Sequence, residues 1–447
     1  MEELRERVRE ITLKLIDLYS ERLRLVEEIG KIKREDGAPL RDLRVEQELW
    51  KEVKERCKEK GLDDWNCSRL FSFIIAASIR AQIPEGGDAG PHLEVFRKAK
   101  RLEKGGVKIY HLEVGEPPWS FPSWVLDEMI KAVEEGRTRY GTSLGSDRFR
   151  KAASEWIKRR DGIDSKPENV IVTPGSKFAI YSILACFLKP GDRVGVMIPA
   201  WPAYRGMASN LGLEFIEVTS LDDLWKLRGI RAFIVCSPNN PDGKVWRRSE
   251  LEELADFLNE NDALLISDDA YAEISLVDRF PPTKAYERSL SVNTLSKAFG
   301  MTGFRVGYIN ASESMISALS NYMSLTISNV PEFIQEASAV ALERGESYVN
   351  EVKEVLRAYL RRALNDLSGA PLEYEKPQGG LYIFPRVDID GFDSMEFASR
   401  VLEEKGIAIA PGSGFGPFKE WIRVTFASEG AEQGLKLLKE ALLSWRS

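Results

Sequence analysis

Lys297 stands in the run TLSKAFGMTGFRVGY, between a serine and an apolar stretch, with small residues following and Arg305 eight positions on. That is not the setting of a lysine on a solvated helix face. Its amine needs a holder, and the arginine suits an anion nearby. Upstream, LLISDDAY is a strand-like run ending at Asp268, with Tyr271 three positions later. FIVCSPNNPDG is another strand, ending in a tight turn that contains Asn240. VIVTPGSKFAIYSIL reads as strand, turn and helix, which places Gly175, Ser176 and Lys177 at a helix N-terminus, where free N–H groups suit a phosphate. Singly, each has an ordinary reading: a cap, loop punctuation, a surface lysine.

Together they define one kind of ligand, carrying a phosphate, an aromatic nitrogen and a carbonyl that condenses with an amine. Pyridoxal phosphate has all three. Polar groups at the carboxyl ends of parallel strands are also where an open α/β sheet binds ligands.

A second set of polar residues lies in the first 83 positions. Leu4, Val8, Ile11, Leu15, Leu18, Arg22, Leu25, Ile29 and Ile32 alternate four and three apart, so they form one stripe along a long helix. Arg22 is the exception in that apolar stripe, and an arginine facing a packed seam needs an anion. The intrusion recurs: Asp42, Glu46, Leu49 and Val53 share one helix face, and Phe71, Ile75, Ser78 and Gln82 share another. One such intruder would read as an ion pair fixing helix register; three sets favour a polar pocket. Lys33, eleven residues after Arg22, returns to nearly the same face about 16 Å along the helix, so two long cations converge on a small ligand. Arg5 lies about 25 Å before Arg22 and cannot reach that ligand within its own helix, which points to a second site across a dimer.

The elements that position these residues fall on either side of IPEGGDAGP, residues 83–91, the clearest linker. Before it, glycine and proline are scarce and helical periodicity is strong. After it, short β-branched runs (NVIVT, VGVMI, AFIVC, ALLIS) alternate with helical patterns, the signature of βα units and a parallel sheet covered by helices. The expected fold is multi-domain: an all-α three-helix domain over 1–83, a linker over 84–91, and an α/β body over 92–447. Within that body a mostly parallel sheet spans about 126–315, and a smaller α+β domain comprises 92–125 with 316–447.

The net charge of −7 argues against phosphate-backbone binding, and residues 1–83 balance 18 basic against 18 acidic side chains, so no nucleic-acid partner is expected. Four cysteines without a CxxC pair and only two histidines make a zinc site or a disulfide framework unexpected, and fit a reducing cytoplasm. The opening MEELRERVRE lacks the apolar stretch of a signal peptide, and no run approaches the roughly 20 apolar residues that span a bilayer.

LRERV, ER with Arg22, GKIK ending at Lys33, RD with Asp42, then Glu46 and RLFSFIIAASIRAQ resemble the all-helical (AroQ-type) chorismate mutases over residues 1–83. The resemblance implies a dimer that swaps its long helix and builds two shared sites. Arg5 of one subunit and Arg22 of the other would hold the carboxylates of chorismate, Lys33 and Gln82 its ether oxygen, with Asp42, Glu46 and Ser78 completing the lining. Two positions depart from that family: Val45 where an arginine is usual, and Thr12 where an aspartate is usual. Either lowers the expected activity and leaves a non-catalytic ligand sensor as an alternative.

Residues 92–447 resemble the class I, fold-type-I aminotransferases. The opening lysine-to-arginine run is joined in order by VGEPPWSFP, RYGTSLGSDRFR, PAWPAY, SPNNPDG, SDDAY and PGSGFGPFKEWIRVTFAS. The resemblance implies that Lys297 anchors pyridoxal phosphate covalently and shuttles a proton. Asp268 would pair with the ring nitrogen, Tyr271 and Asn240 with its phenolic oxygen, and Trp201 would stack on its face. Arg305, Thr294, Ser176 and the amides near Gly175 and Lys177 would bind the phosphate, joined by Tyr140 from the partner subunit. Arg423 and the backbone of Gly115 would take the substrate carboxylate. Asp242 stands where threonine is usual and is expected only to shape its turn.

The fusion suggests transamination of an aromatic 2-oxo acid, phenylpyruvate or 4-hydroxyphenylpyruvate, with glutamate as amino donor. Prephenate and aspartate remain alternative substrates, and a fold-type-I lyase or an aminotransferase-like regulator remain alternative functions. Lys98, Lys100, Arg101 and Lys104 read as a solvated basic face.

Overall fold

The computed structural model describes residues 1–35, 43–82, 91–227 and 229–445. The chain divides into two compact units. One is built on Met1–Asp88 and also takes in Lys189–Asp192 and Gly206–Phe215; the other comprises the remainder. Asp42 and nearly all of the expected linker lie outside the described residues.

The first unit holds α1 (Glu2–Glu35), α2 (Leu43–Glu59) and α3 (Asp64–Ala81). Acidic residues occupy the first turn of each, and Arg56 and Lys58 close α2, the charge order that the helix dipole favours. Gly61, at φ +69°, supplies the left-handed turn after α2. Asp63 then accepts from the Asn66 backbone N–H at 2.8 Å to start α3. Tyr19 stacks on Phe73 with centroids 5.7 Å apart, and Trp50 meets Phe71 at 4.8 Å. At Gly30 the backbones come so close that a Cβ would fall 2.8 Å from Gln82 Cα.

The apolar stripe of α1 is left largely open among the described residues. Leu4, Val8, Ile11, Leu15, Leu18, Leu25, Ile29 and Ile32 are each 46–68 % exposed. Cys57 and Cys67 form a disulfide, which corrects the expectation drawn from cysteine spacing. The turn between α2 and α3 brings the end of one helix beside the first turns of the other, leaving the Cα atoms 6.2 Å apart and both residues buried. Cys186 and Cys236 are free.

The second unit, with Glu214 and Phe215 of the first, carries a seven-stranded sheet: β1 (Val170–Thr173), β2 (Arg193–Met197), β3 (Glu214–Val218), β4 (Ile230–Cys236), β5 (Leu264–Asp268), β6 (Ser289–Thr294) and β7 (Gly307–Asn310). Its spatial order is β1-β7-β6-β5-β4-β2-β3. The pairs β2–β4, β4–β5 and β5–β6 are parallel, while β7 runs antiparallel to both β6 and β1. Every residue of β1, β5, β6 and β7 is buried, as expected for strands covered on both faces. In the smaller part, Tyr110–His111 pairs in parallel with Ile407–Ala408. Ile422–Thr425 lies between Tyr382–Ile383 and Ala410–Pro411, antiparallel to both. Among the described residues, no helix is long and apolar enough to cross a membrane, and no cluster of side chains could hold a metal ion.

Candidate active site

The ends of three parallel strands and the turns after them open into one cavity of about 340 Å³. Its walls include Ser176 and Lys177 after β1, Cys236 and Asn240 at the end of β4, and Asp268 and Tyr271 at the end of β5. Thr294 at the end of β6 and Lys297 after it line the cavity too, together with Trp201, Gly115, Arg305 and Arg423; of the residues expected at this site, Gly175 and Tyr140 are not in its walls. Gly175 adjoins them: it is the N-cap of helix Ser176–Phe187 at φ +82°, and a Cβ there would come within 2.7 Å of an Arg305 guanidinium nitrogen. A glycine is therefore needed where the arginine meets the helix N-terminus. Tyr140 is 92 % exposed and does not line the cavity.

Lys297 Nζ donates to the Gly115 carbonyl at 2.6 Å, and the Lys297 carbonyl accepts from Trp119 Nε1 at 2.9 Å. Asp268 is buried; it accepts from Tyr204 Oη at 2.6 Å and from the Ala270 N–H at 3.2 Å. Burial pushes its carboxyl up to about 6, an effect that those two donors oppose. The neighbouring Asp269 faces the other way, paired with Arg279 and accepting from Ser267 and Ser291 at 2.8 Å each.

Arg423 is buried. Its guanidinium donates to Asn240 Oδ1 at 3.1 Å and to the Glu113 carbonyl, and lies over the ring faces of Tyr382 (4.3 Å) and Phe415 (5.0 Å). Its Nε has no hydrogen-bond partner among the described residues. A buried donor without an acceptor, in a cavity wall, fits a ligand carboxylate. Lys177 lies 5.2 Å from the Trp201 ring centroid, and burial followed by the charges of Arg305 and Lys297 pulls its pKa down. Asp242 accepts from Asn239 Nδ2 and the Lys244 N–H at 2.9 and 3.1 Å, a purely local turn contact.

Tyr204 and Tyr382 are site residues to which sequence reasoning gave no role. Tyr204 does lie in the quoted PAWPAY run, three residues after Trp201. The residues fit pyridoxal phosphate: a carboxylate buried at one end, a helix N-terminus with arginine at the other, and an amine between.

In the helical unit, Arg22 Nη1 donates to Ser78 Oγ at 2.5 Å, and Gln82 Nε2 donates to the Ser78 carbonyl at 3.1 Å. The structure thus brings together Arg22, Ser78 and Gln82, with Ser78 and Gln82 buried. Lys33 and Glu46 are partly buried on α1 and α2, whereas Arg5 is exposed near the start of α1. Thr12 turns its hydroxyl to the Val8 carbonyl at 2.8 Å.

Comparison with known proteins agrees with both halves. A family profile described as Aminotransferase class I and II matches residues 107–442, and one described as Chorismate mutase type II matches residues 4–83. The chain is 32% identical to Aromatic-amino-acid aminotransferase 2 of Thermococcus litoralis, covering 78% of this chain and 96% of that one. It is 29% identical to a Probable aspartate/prephenate aminotransferase of Aquifex aeolicus, covering 79% and 95%. Among solved structures it is similar to a double mutant of Thermus thermophilus aspartate aminotransferase, with TM-score 0.75, 30% identity and coverage of 81% and 98%. The chain therefore belongs to the class I and II aminotransferases, enzymes dependent on pyridoxal phosphate, and joins to that body a type II chorismate mutase domain.

Proposed function

We propose that the protein serves aromatic amino acid biosynthesis twice over. Its helical unit converts chorismate to prephenate, and its α/β body moves an amino group from glutamate to phenylpyruvate or 4-hydroxyphenylpyruvate. The observation that carries the second half is the convergence of Lys297, Asp268 and the open Nε of Arg423 on one cavity.

Pyridoxal phosphate, when bound, supplies a sink for the electron pair left behind as the substrate loses its α-proton. The chain does the rest. Asp268, ionised, would hold the ring nitrogen protonated, while Tyr271 and Asn240 would donate to the ring oxygen and Trp201 would cover the ring face. Gly175, Ser176, the Lys177 amide, Thr294 and Arg305 hold the phosphate. Lys297 would anchor the carbonyl carbon, and its amine is the group placed to take up and return the substrate's α-proton. Arg423 takes the substrate carboxylate in bidentate fashion beside the Gly115 backbone.

The chorismate rearrangement is unimolecular and needs no nucleophile. Arg22, Lys33 and Gln82 suffice in kind: they hold a folded conformer and place donors where charge grows on the ether oxygen, with Glu46 and Ser78 beside them. The uncovered stripe of α1 supports a homodimer in which Arg5 serves the partner's site. The exposure of Tyr140 supports its reaching a partner's phosphate.

A second reading, prephenate as the amino acceptor, is favoured by Lys177. Its ammonium makes no ion pair with a carboxylate among the described residues, and it adds a second cation for a second carboxylate. The test is transfer from glutamate to phenylpyruvate, 4-hydroxyphenylpyruvate, prephenate and oxaloacetate, with chorismate loss followed in parallel. The primary reading expects the two aromatic acids to have the highest kcat/KM. Prephenate in first place supports the second reading, and oxaloacetate in first place overturns both.

A further inference from the structure

Tyr382 connects two groups whose roles differ. Its strand, Tyr382–Ile383, pairs antiparallel with Ile422–Thr425 so that Tyr382 faces Thr425. Arg423, two residues away on the same face, is its diagonal neighbour. The guanidinium accordingly rests on the Tyr382 ring, 4.3 Å from the centroid. At its other end the Tyr382 hydroxyl lies 3.0 Å from Tyr271 Oη, with the two rings edge to face at 5.9 Å. Tyr382 is buried, and a Cβ on Gly115 would overlap its hydroxyl, so the phenol can sit here only because Gly115 has no side chain.

We propose that Tyr382 is a positioning residue of the transamination site, its hydroxyl donating to Tyr271 and its ring seating Arg423. This rests on the proposed roles of Tyr271 and Arg423. Tyr271 has one phenolic hydrogen, and burial keeps that phenol neutral. If that hydrogen goes to the ring oxygen of the cofactor, the contact with Tyr382 can be made only with Tyr382 as donor. Accepting a hydrogen bond makes Tyr271 a stronger donor in turn. A strong donor on the ring oxygen competes for the lone pair that would otherwise stabilise a proton on the Lys297 nitrogen. Weakening that donor raises the pH at which the proton leaves. Tyr382 thus sets the strength of one contact through its hydroxyl and the place of another through its ring.

Two variants of the full-length protein separate the functions. Tyr382→Phe keeps the ring and loses the donor. The pH midpoint of the visible absorbance change of the cofactor-loaded protein should rise by about one unit, the worth of a single hydrogen bond, with KM for the amino acid little changed. Tyr382→Leu loses both. It should show the same rise and also bind a simple carboxylate inhibitor, maleate, about tenfold more weakly. Thermal melting of each variant at the assay pH establishes that it is folded. A wild-type protein that shows no visible band with pyridoxal phosphate sinks the reading of the site and this inference with it. A normal wild-type band with an unmoved midpoint in Tyr382→Phe overturns this inference alone. Equal weakening of maleate by Phe and Leu overturns the seating role of the ring.

Discussion

The chemistry depends on where single side chains end. Arg22 reaches Ser78 Oγ in the helical unit, and nothing in that contact involves the pyridoxal phosphate cavity. Arg22→Ala should lower chorismate turnover by a factor of about 10²–10³, the usual effect of removing a donor aimed at developing charge, while glutamate-dependent transamination persists. Parallel assays of the two reactions check this, and loss of both together would contradict it. At this scale the site was largely legible in the sequence. Lys297, Asp268, Tyr271 and Asn240 each end a strand or follow one, and chemistry-bearing residues at strand ends stand out against apolar runs; Arg423 stands out as a charge inside the strand Ile422–Thr425. Tyr204 and Tyr382 did not stand out. A tyrosine inside an apolar segment reads as core, and it is the folded contacts that mark these two as parts of the site: hydroxyl contacts at 2.6 and 3.0 Å, and the Arg423 guanidinium over the Tyr382 ring.

At the scale of elements, close packing limits what can change. Gly30 lets α1 approach α3 near Gln82, and Gly30→Ala must push the helices apart or shift Gln82. Overpacking of this kind costs about 1–3 kcal/mol. The helical unit should melt earlier and lose mutase activity, as calorimetry and a chorismate assay would show; an unchanged melt would contradict the close approach.

The strand Tyr110–His111 carries a different control. His111 bonds Glu113 at 2.7 Å and lies 3.0 Å from Glu103, and these contacts raise its pKa, the Glu113 hydrogen bond most. A folded value above the unfolded one, near 6.5, means that the stabilisation is complete below about 6.5 and disappears as pH rises through the folded value. His111→Gln should therefore lower Tm at pH 6 and leave it nearly unchanged at pH 9. A difference that grows with pH would contradict this. Periodicity revealed α1 and the βα alternation, because both are local patterns. The Cys57–Cys67 disulfide was not visible that way, since it depends on how the α2–α3 turn folds the chain back.

For the whole molecule, the exposed stripe of α1 is the largest open question of burial in the first unit. Its eight apolar residues are each 46–68 % exposed, so completing their burial would contribute roughly 1–2 kcal/mol apiece. The proposed dimer covers that stripe. Leu15→Glu combined with Leu18→Glu should reduce mutase turnover by at least about tenfold while transamination persists. Full mutase turnover by this variant would remove Arg5 from the active site.

The central claim is that one amine grips the cofactor. The protein should be loaded with pyridoxal phosphate, reduced with borohydride, digested and sequenced by mass spectrometry. The account predicts the reduced pyridoxyl group on Lys297 and on no other lysine. A group on Lys177, or none anywhere, would contradict it.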